Sequence, residues 1–123
     1  MCSLPLISVV DDDDSVGESL RALIRSAGFA AQVFASAEEF LNSDHLRQTH
    51  CLILDVRLPG MNGLELKRQL ASSRCEIPVI FITAHGDEAA RARALGEGAL
   101  EYLFKPFSDE ALLNAIHATL VAR

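Results

Sequence analysis

The sequence predicts an α/β protein, a doubly wound five-stranded parallel sheet of order 2-1-3-4-5 with five helices. Short apolar runs alternate with amphipathic stretches from one end of the chain to the other. The runs are apolar at consecutive rather than alternate positions, which is the pattern of parallel strands covered on both faces. With 123 residues, 50% of them hydrophobic, the chain has the material for one well-covered core, and it is read as a single domain over 1–123. Right-handed crossovers then favour the doubly wound arrangement.

The first strand is the run from Leu6 to Val10, followed by "SVGESLRALIRSAG", where Val16, Leu20, Leu23, Ile24 and Ala27 share one helical face and Gly28 stops the helix. "FAAQVFA" is a modest second strand, and "SAEEFLN" carries an S-x-x-E capping box, Ser36 with Glu39, at the start of a short helix. "CLIL" from Cys51 is a fully apolar third strand, "PGMNG" a loop and "LELKRQLASS" the third helix. "PVIFI" from Pro78 is the fourth strand, and "DEAARARAL" is helical until "GEG" ends it. "LEYLF" is the fifth strand, after which Ser108 caps a last helix with a stripe of Leu112, Leu113, Ile116 and Leu120.

The formal charge of -6 argues against direct binding to nucleic acid, which needs clustered Lys and Arg on phosphates. No apolar run reaches the roughly 18 residues of a membrane span, and "MCSLPLISVV" lacks a basic leader, so a cytoplasmic protein is expected. Cys2, Cys51 and Cys75 are odd in number and far apart, which suggests neither a disulfide frame nor a zinc site, and Cys51 reads as a small core residue.

The chemistry lies in what ends the apolar runs: "ISVV" stops at Asp11 and Asp12, "CLIL" at Asp55, "VIFI" at Thr83 and "EYLF" at Lys105. All carboxyl ends of a parallel sheet share one edge, where such folds bind ligands, so these residues are expected in one crevice. Three carboxylates held close raise one another's pKa unless a cation intervenes. All-oxygen ligation suits Mg²⁺, with Mn²⁺ as a substitute. Lys105 and Thr83 would complete a site for a tetrahedral dianion, and Asp55, on a central strand, is the best candidate to receive a phosphoryl group. Asp13 and Asp14 read instead as cap and charge at a helix N-terminus. Taken singly, a Thr ending a strand is a turn residue and a Lys before Pro a solvated charge. Their joint placement on successive strand ends carries the reading.

With those residues in place, the chain resembles the receiver domain of bacterial two-component response regulators over essentially its whole length. "VVDDD", "LILDVRLPGMNGLEL", "VIFITAHGD" and "EYLFKPF" are the matching motifs, and the resemblance implies a flavodoxin-like receiver fold. It implies Asp55 as phosphoacceptor, Asp12 as a direct Mg²⁺ ligand, Asp11 as a ligand mainly through water, and the Arg57 carbonyl as a further ligand. Thr83 would bond the phosphoryl oxygens, Lys105 would pair with the phosphate, and the bond before Pro106 would be cis. Tyr102 matches the family's switch aromatic, which turns inward as Thr83 moves. Taken alone, a strand Tyr is expected half-buried with its hydroxyl in water. Arg57 and His85 stand where the family tunes the lifetime of the aspartyl phosphate. The donor would be a histidine on a sensor kinase, whereas His45, His50 and His117 read as surface or helix residues. The "HGD" motif is most like the FixJ-type branch, whose members usually add a LuxR-type DNA-binding domain. The face of the fourth helix, fifth strand and fifth helix is the expected dimer or effector contact, with Arg91 and Arg93 able to form salt bridges across it.

Two other functions fit part of the pattern. "DDDSV" from Asp12 matches the D-x-D-x-V motif of haloacid-dehalogenase-type phosphatases, but those need a second acidic pair and usually a cap, for which 123 residues leave little room. A receiver that takes no phosphate and works only as a binding module is the other alternative. The leading expectation is a phosphorylated signalling switch rather than a turnover enzyme.

Overall fold

In the computed structural model, residues 4–84 and 86–121 are described. Five strands, β1 (Leu6–Val10), β2 (Ala30–Phe34), β3 (Thr49–Asp55), β4 (Val79–Thr83) and β5 (Glu101–Phe104), form one sheet in the order β2-β1-β3-β4-β5. Every pairing is parallel. The helices are α1 (Asp14–Ser26), α2 (Ala37–Leu41), α3 (Gly63–Ser72), α4 (Glu88–Gly96) and α5 (Asp109–Val121). A 3₁₀ turn over Leu46–Gln48, which the sequence pattern does not announce, leads into β3. That strand begins at Thr49, two residues before the apolar run, with the buried Thr49 hydroxyl fully engaged. It meets the Ser8 hydroxyl at 2.7 Å and donates to the His45 carbonyl at 2.8 Å.

Strand alternation divides the core. Ile7 and Val9 of β1, Cys51 and Ile53 of β3, and Ile80 and Ile82 of β4 pack with Leu20 and Ile24 of α1 and Leu112 and Ile116 of α5. Val10, Leu52, Leu54 and Phe81 point to the other layer, with Phe40 of α2, Leu66 and Leu70 of α3 and Ala94 of α4. Each Val, Leu, Ile or Phe side chain among them contributes about 1.5–3 kcal/mol when fully buried, so these consecutive apolar strands are the main source of stability.

Caps set where the helices begin. The Asp13 carboxylate accepts from the amides of Ser15 and Val16, and Ser108 Oγ accepts from the Ala111 amide. Ser36 accepts from the Glu39 amide, but Glu39 does not return the bond, so the expected capping box is only half formed. The reciprocal box falls instead in the "PGMNG" loop: Asn62 Oδ1 accepts from the Glu65 amide at 2.9 Å, and Glu65 Oε1 from the Asn62 amide at 3.0 Å. That box fixes the entry to α3 immediately after the loop that leaves Asp55.

Candidate functional site

The C-terminal rim of the sheet gathers the residues that ended the apolar runs. Asp11 and Asp12 follow β1, Asp55 and Thr83 close β3 and β4, and Lys105 follows β5. With Asp13, Arg57 and Ala84 they line a cavity of about 270 Å³. Lys105 Nζ lies 3.0 Å from Asp11 Oδ2 and 3.3 Å from Asp55 Oδ2, bridging residues 94 and 50 positions away. The remaining oxygens are held by the backbone: Asp11 Oδ1 accepts from the Asp13 amide at 2.9 Å, and Asp55 Oδ1 from the Arg57 amide at 3.0 Å. Asp11 is 1% exposed and Asp55 7%, while Asp12 and the Arg57 side chain face solvent.

Burial pushes the Asp55 carboxyl above its ordinary value and the Asp11 charge adds to this, against the Arg57 amide and the Lys105 ammonium, which pull it down. Burial also acts against the charged form of Lys105, yet its bonds and charge contacts with Asp11 and Asp55 outweigh that and raise its pKa. Asp13 belongs to the helix cap: the Ser15 hydroxyl and the amides of Val16 and Ser15 lower its pKa.

Carboxylate oxygens of Asp11, Asp12 and Asp55 lie within 4.8 Å of one another. An all-oxygen set of this size, one member open to solvent, fits a hard divalent cation that keeps several waters. The donor set therefore suits Mg²⁺.

Thr83 is buried at the end of β4, and its carbonyl accepts from the Lys105 amide at 2.7 Å, which ties the hydroxyl-bearing and ammonium-bearing strand ends together. The Lys105–Pro106 peptide is cis. His85 lies outside the described residues, as does Cys2. Cys51 is fully buried in the core. His45 is half-buried and tilted on Phe34, His117 is exposed beside Phe29, and exposed His50 accepts the Leu6 amide through Nδ1. Arg91 pairs within the chain, with Glu88 at 3.8 Å and Glu101 at 3.6 Å.

Tyr102 departs from the half-buried strand residue expected of it. It is 3% exposed, with its ring 6.1 Å from that of Phe81 and 5.5 Å from that of Phe104. The space it fills exists because residue 86 is glycine: a Cβ there would lie 2.5 Å from the Tyr102 hydroxyl and 2.6 Å from Thr83 Cγ2. Burial raises the phenol pKa, and the Asp87 charge assists. Tyr102 is the sole Tyr and the chain has no Trp, so ultraviolet titration reads this phenol alone. Gly86→Ala is expected to drive the ring outward, lowering its titration midpoint toward the ordinary value and increasing quenching by a soluble quencher. An unchanged titration would show that the pocket accommodates the methyl group.

Two contributors escaped sequence reasoning. A Cβ at Gly63 would lie 2.5 Å from the Asp55 carbonyl oxygen, so the absence of a side chain lets α3 start against the end of β3. Glu38 of α2 accepts the Met61 amide at 3.1 Å across 23 positions. The glycine was visible in the "PGMNG" turn, although its closeness to Asp55 was not, and nothing local distinguishes Glu38 from a solvated helix residue.

A doubly wound parallel sheet whose rim presents a carboxylate triad, a buried hydroxyl and an ammonium is the arrangement expected of a receiver domain. The family described as response regulator receiver domain matches residues 7–117, and the chain belongs to it. It is 45% identical over 115 residues to the response regulator protein TodT of Pseudomonas putida, covering 94% of this chain and 51% of that one. It is 42% identical over 118 residues to the transcriptional regulatory protein FixJ of Azorhizobium caulinodans, covering 96% and 56% respectively. Among solved structures, response regulator StyR superposes with a TM-score of 0.88 at 49% identity, covering 98% of this chain and 61% of that one. FixJ-N superposes with a TM-score of 0.83 at 35% identity, covering 97% and 94%. The chain thus spans about half the length of the curated relatives it matches. Among the described residues no helix is long and apolar enough to cross a membrane.

Proposed function

We propose that this receiver domain accepts a phosphoryl group on Asp55. The observation that supports this most is the seating of the Asp55 carboxylate: one oxygen is held by the Arg57 amide, and the other faces Lys105 beside the Asp11 and Asp12 pair. Asp11, Asp12, Asp55 and the Arg57 carbonyl would hold Mg²⁺, or Mn²⁺ in its place. When bound, the ion offsets negative charge on the entering phosphoryl oxygens. In the transfer, an Asp55 oxygen forms a bond to phosphorus as the bond to the donor nitrogen or oxygen breaks, and the donor leaves with that electron pair. Lys105 stabilises the charge on the equatorial oxygens, and Asp11 and the Arg57 amide keep the reacting groups aligned.

The product dianion then draws the Thr83 hydroxyl toward it, which alters the packing of Thr83 and Tyr102 and the surface of α4, β5 and α5. That face serves as the contact for self-dimerisation or for an effector. A sensor histidine kinase is the donor, Arg57 and His85 set how long the acyl phosphate lasts, and the setting is cytoplasmic. The name of the transcriptional regulatory protein FixJ supports a role in transcription regulation, and the greater length of the FixJ and TodT relatives leaves room for an attached output domain, which we take to be a DNA-binding domain of the LuxR type. The domain itself, 1–123, makes no contact with nucleic acid and turns over no substrate beyond its own phosphorylation and slow dephosphorylation.

The test is incubation with Mg²⁺ and a small acyl phosphate, followed by intact mass. An adduct of one phosphoryl group is expected in the wild type and is expected to vanish in Asp55→Asn. Steady hydrolysis of phosphomonoesters dependent on Asp12 would point to a phosphatase instead, and no adduct under any condition would point to a pure binding module.

A further inference from the structure

The loop that leaves Asp55 is fastened at both ends by its own neighbours. At the start, the Val56 amide donates to the Ile82 carbonyl at 3.0 Å and the Arg57 amide to Asp55 Oδ1 at 3.0 Å. At the end, the Gly63 amide returns to the Val56 carbonyl at 3.0 Å, and the Asn62–Glu65 box starts α3. Between these points Pro59 and Gly60 are exposed, and the chain turns through a left-handed residue, Gly60 at φ +71°. That stretch is held from a different element. Glu38 Oε2 on α2 accepts the Met61 amide at 3.1 Å, and it sits where a side chain on residue 60 would reach, 2.9 Å from an ideal Cβ. A glycine at this position therefore provides both the positive φ and the seat for the carboxylate.

We infer that Glu38 is a positioning residue for phosphoryl transfer, acting through the loop 56–62 on the Arg57 backbone and hence on Asp55. The inference rests on Asp55 being the acceptor. Its physical basis is that Arg57 contributes two things to the site through its main chain: the amide that orients Asp55, and the carbonyl that the proposed cation would use. Both depend on the path of the loop. A charge-assisted bond at the crest opposes its drift away from the rim, and small misplacements of a reacting group lower rates steeply. Glu38 touches neither phosphoryl donor nor acceptor, so its effect passes entirely through backbone geometry.

The experiment compares wild type, Glu38→Ala and Glu38→Gln for adduct formation from a small acyl phosphate across a Mg²⁺ titration, alongside amide hydrogen exchange of the unmodified protein. Glu38→Ala is expected to form the Asp55 adduct about three- to tenfold more slowly and to need more Mg²⁺, with exchange accelerated at Met61 and Arg57. Glu38→Gln keeps an oxygen acceptor and is expected to restore the rate to within about twofold, a rescue that a simple loss of surface charge would not give. Glu38→Ala reacting at the wild-type rate, or Glu38→Gln as slow as Glu38→Ala, would overturn the inference. If the wild type itself takes no phosphoryl group, the acceptor reading fails, and exchange then decides on the loop: unchanged protection at Met61 and Arg57 in Glu38→Ala overturns the positioning role as well.

Discussion

Lys105→Met is expected to lose about 2–3 kcal/mol of folding stability at neutral pH without divalent cation and to slow phosphoryl transfer to Asp55 by about 10²–10³-fold. The ammonium is the cation that separates two buried carboxylates, 3.0 Å from Asp11 and 3.3 Å from Asp55. Methionine fills similar volume but leaves those charges facing each other with only backbone amides to offset them. Part of the Lys105 side chain is open to solvent, at 20% exposure, which places the stability loss at or just below the roughly 3–5 kcal/mol of a broken, fully buried pair.

The pH dependence gives this prediction a sign. Asp55 already titrates above its ordinary value, chiefly through burial, so the folded state binds its proton more readily than the unfolded chain does. Stability from this group therefore falls as pH rises through the window above the unfolded carboxylate value of about 4. Without Lys105 that window extends upward, and the deficit relative to wild type is expected to be largest near neutrality and to shrink toward about pH 4. Lys105 works in the opposite sense: its raised pKa means that its stabilisation is present below the unfolded lysine value and is lost as pH climbs through the folded one. Urea unfolding of both proteins at several pH values checks this. Equal midpoints at neutral pH with parallel pH profiles would show that the ammonium contributes nothing.

Gly63→Ala is the second large effect. An ideal Cβ would stand 2.5 Å from the Asp55 carbonyl oxygen, 3.0 Å from Val56 Cα and 3.2 Å from the Asp55 carbonyl carbon, all backbone atoms that have no rotamer by which to move aside. Either α3 retreats or the end of β3 shifts. The expected cost is about 1–3 kcal/mol, as for other overpacked positions. Because the atoms pushed belong to Asp55 itself, transfer should slow by about 10²-fold even at temperatures where the variant is fully folded. A folded variant with the wild-type rate of adduct formation would show that the acceptor tolerates this movement.

These two positions illustrate what sequence reveals and what it hides. Lys105, Asp55, Asp11 and Thr83 were legible because a parallel sheet converts distance along the chain into proximity at one edge, and each of them interrupts an apolar run at that edge. The handedness of the crossovers favoured a doubly wound sheet, and the order expected as the one best suited to five strands is the order observed. Gly63 was legible only as a turn residue, since its close approach to Asp55 is set by how α3 docks. The depth of Tyr102 was hidden for a related reason: it depends on Phe81 and Phe104 in the sheet and on the empty side-chain space at Gly86, none of which a strand pattern encodes. Glu38 carries no local mark because its partner, the Met61 amide, is a generic donor 23 residues away. Local signals do better when both partners are near: Asp13 as a cap and Ser108 as a cap were readable, whereas Ser36 and Glu39 matched the capping-box pattern but form only one of its two bonds.

Rim groups that act together on one carboxylate should confine phosphorylation to it. The measurement that tests this most directly is peptide mapping of the protein after treatment with Mg²⁺ and a small acyl phosphate, with the position of the added phosphoryl group located by fragmentation. A single modification on Asp55, strongly diminished when Mg²⁺ is chelated, is the expected result. Modification at another residue, or at Asp55 with no dependence on divalent cation, would contradict it.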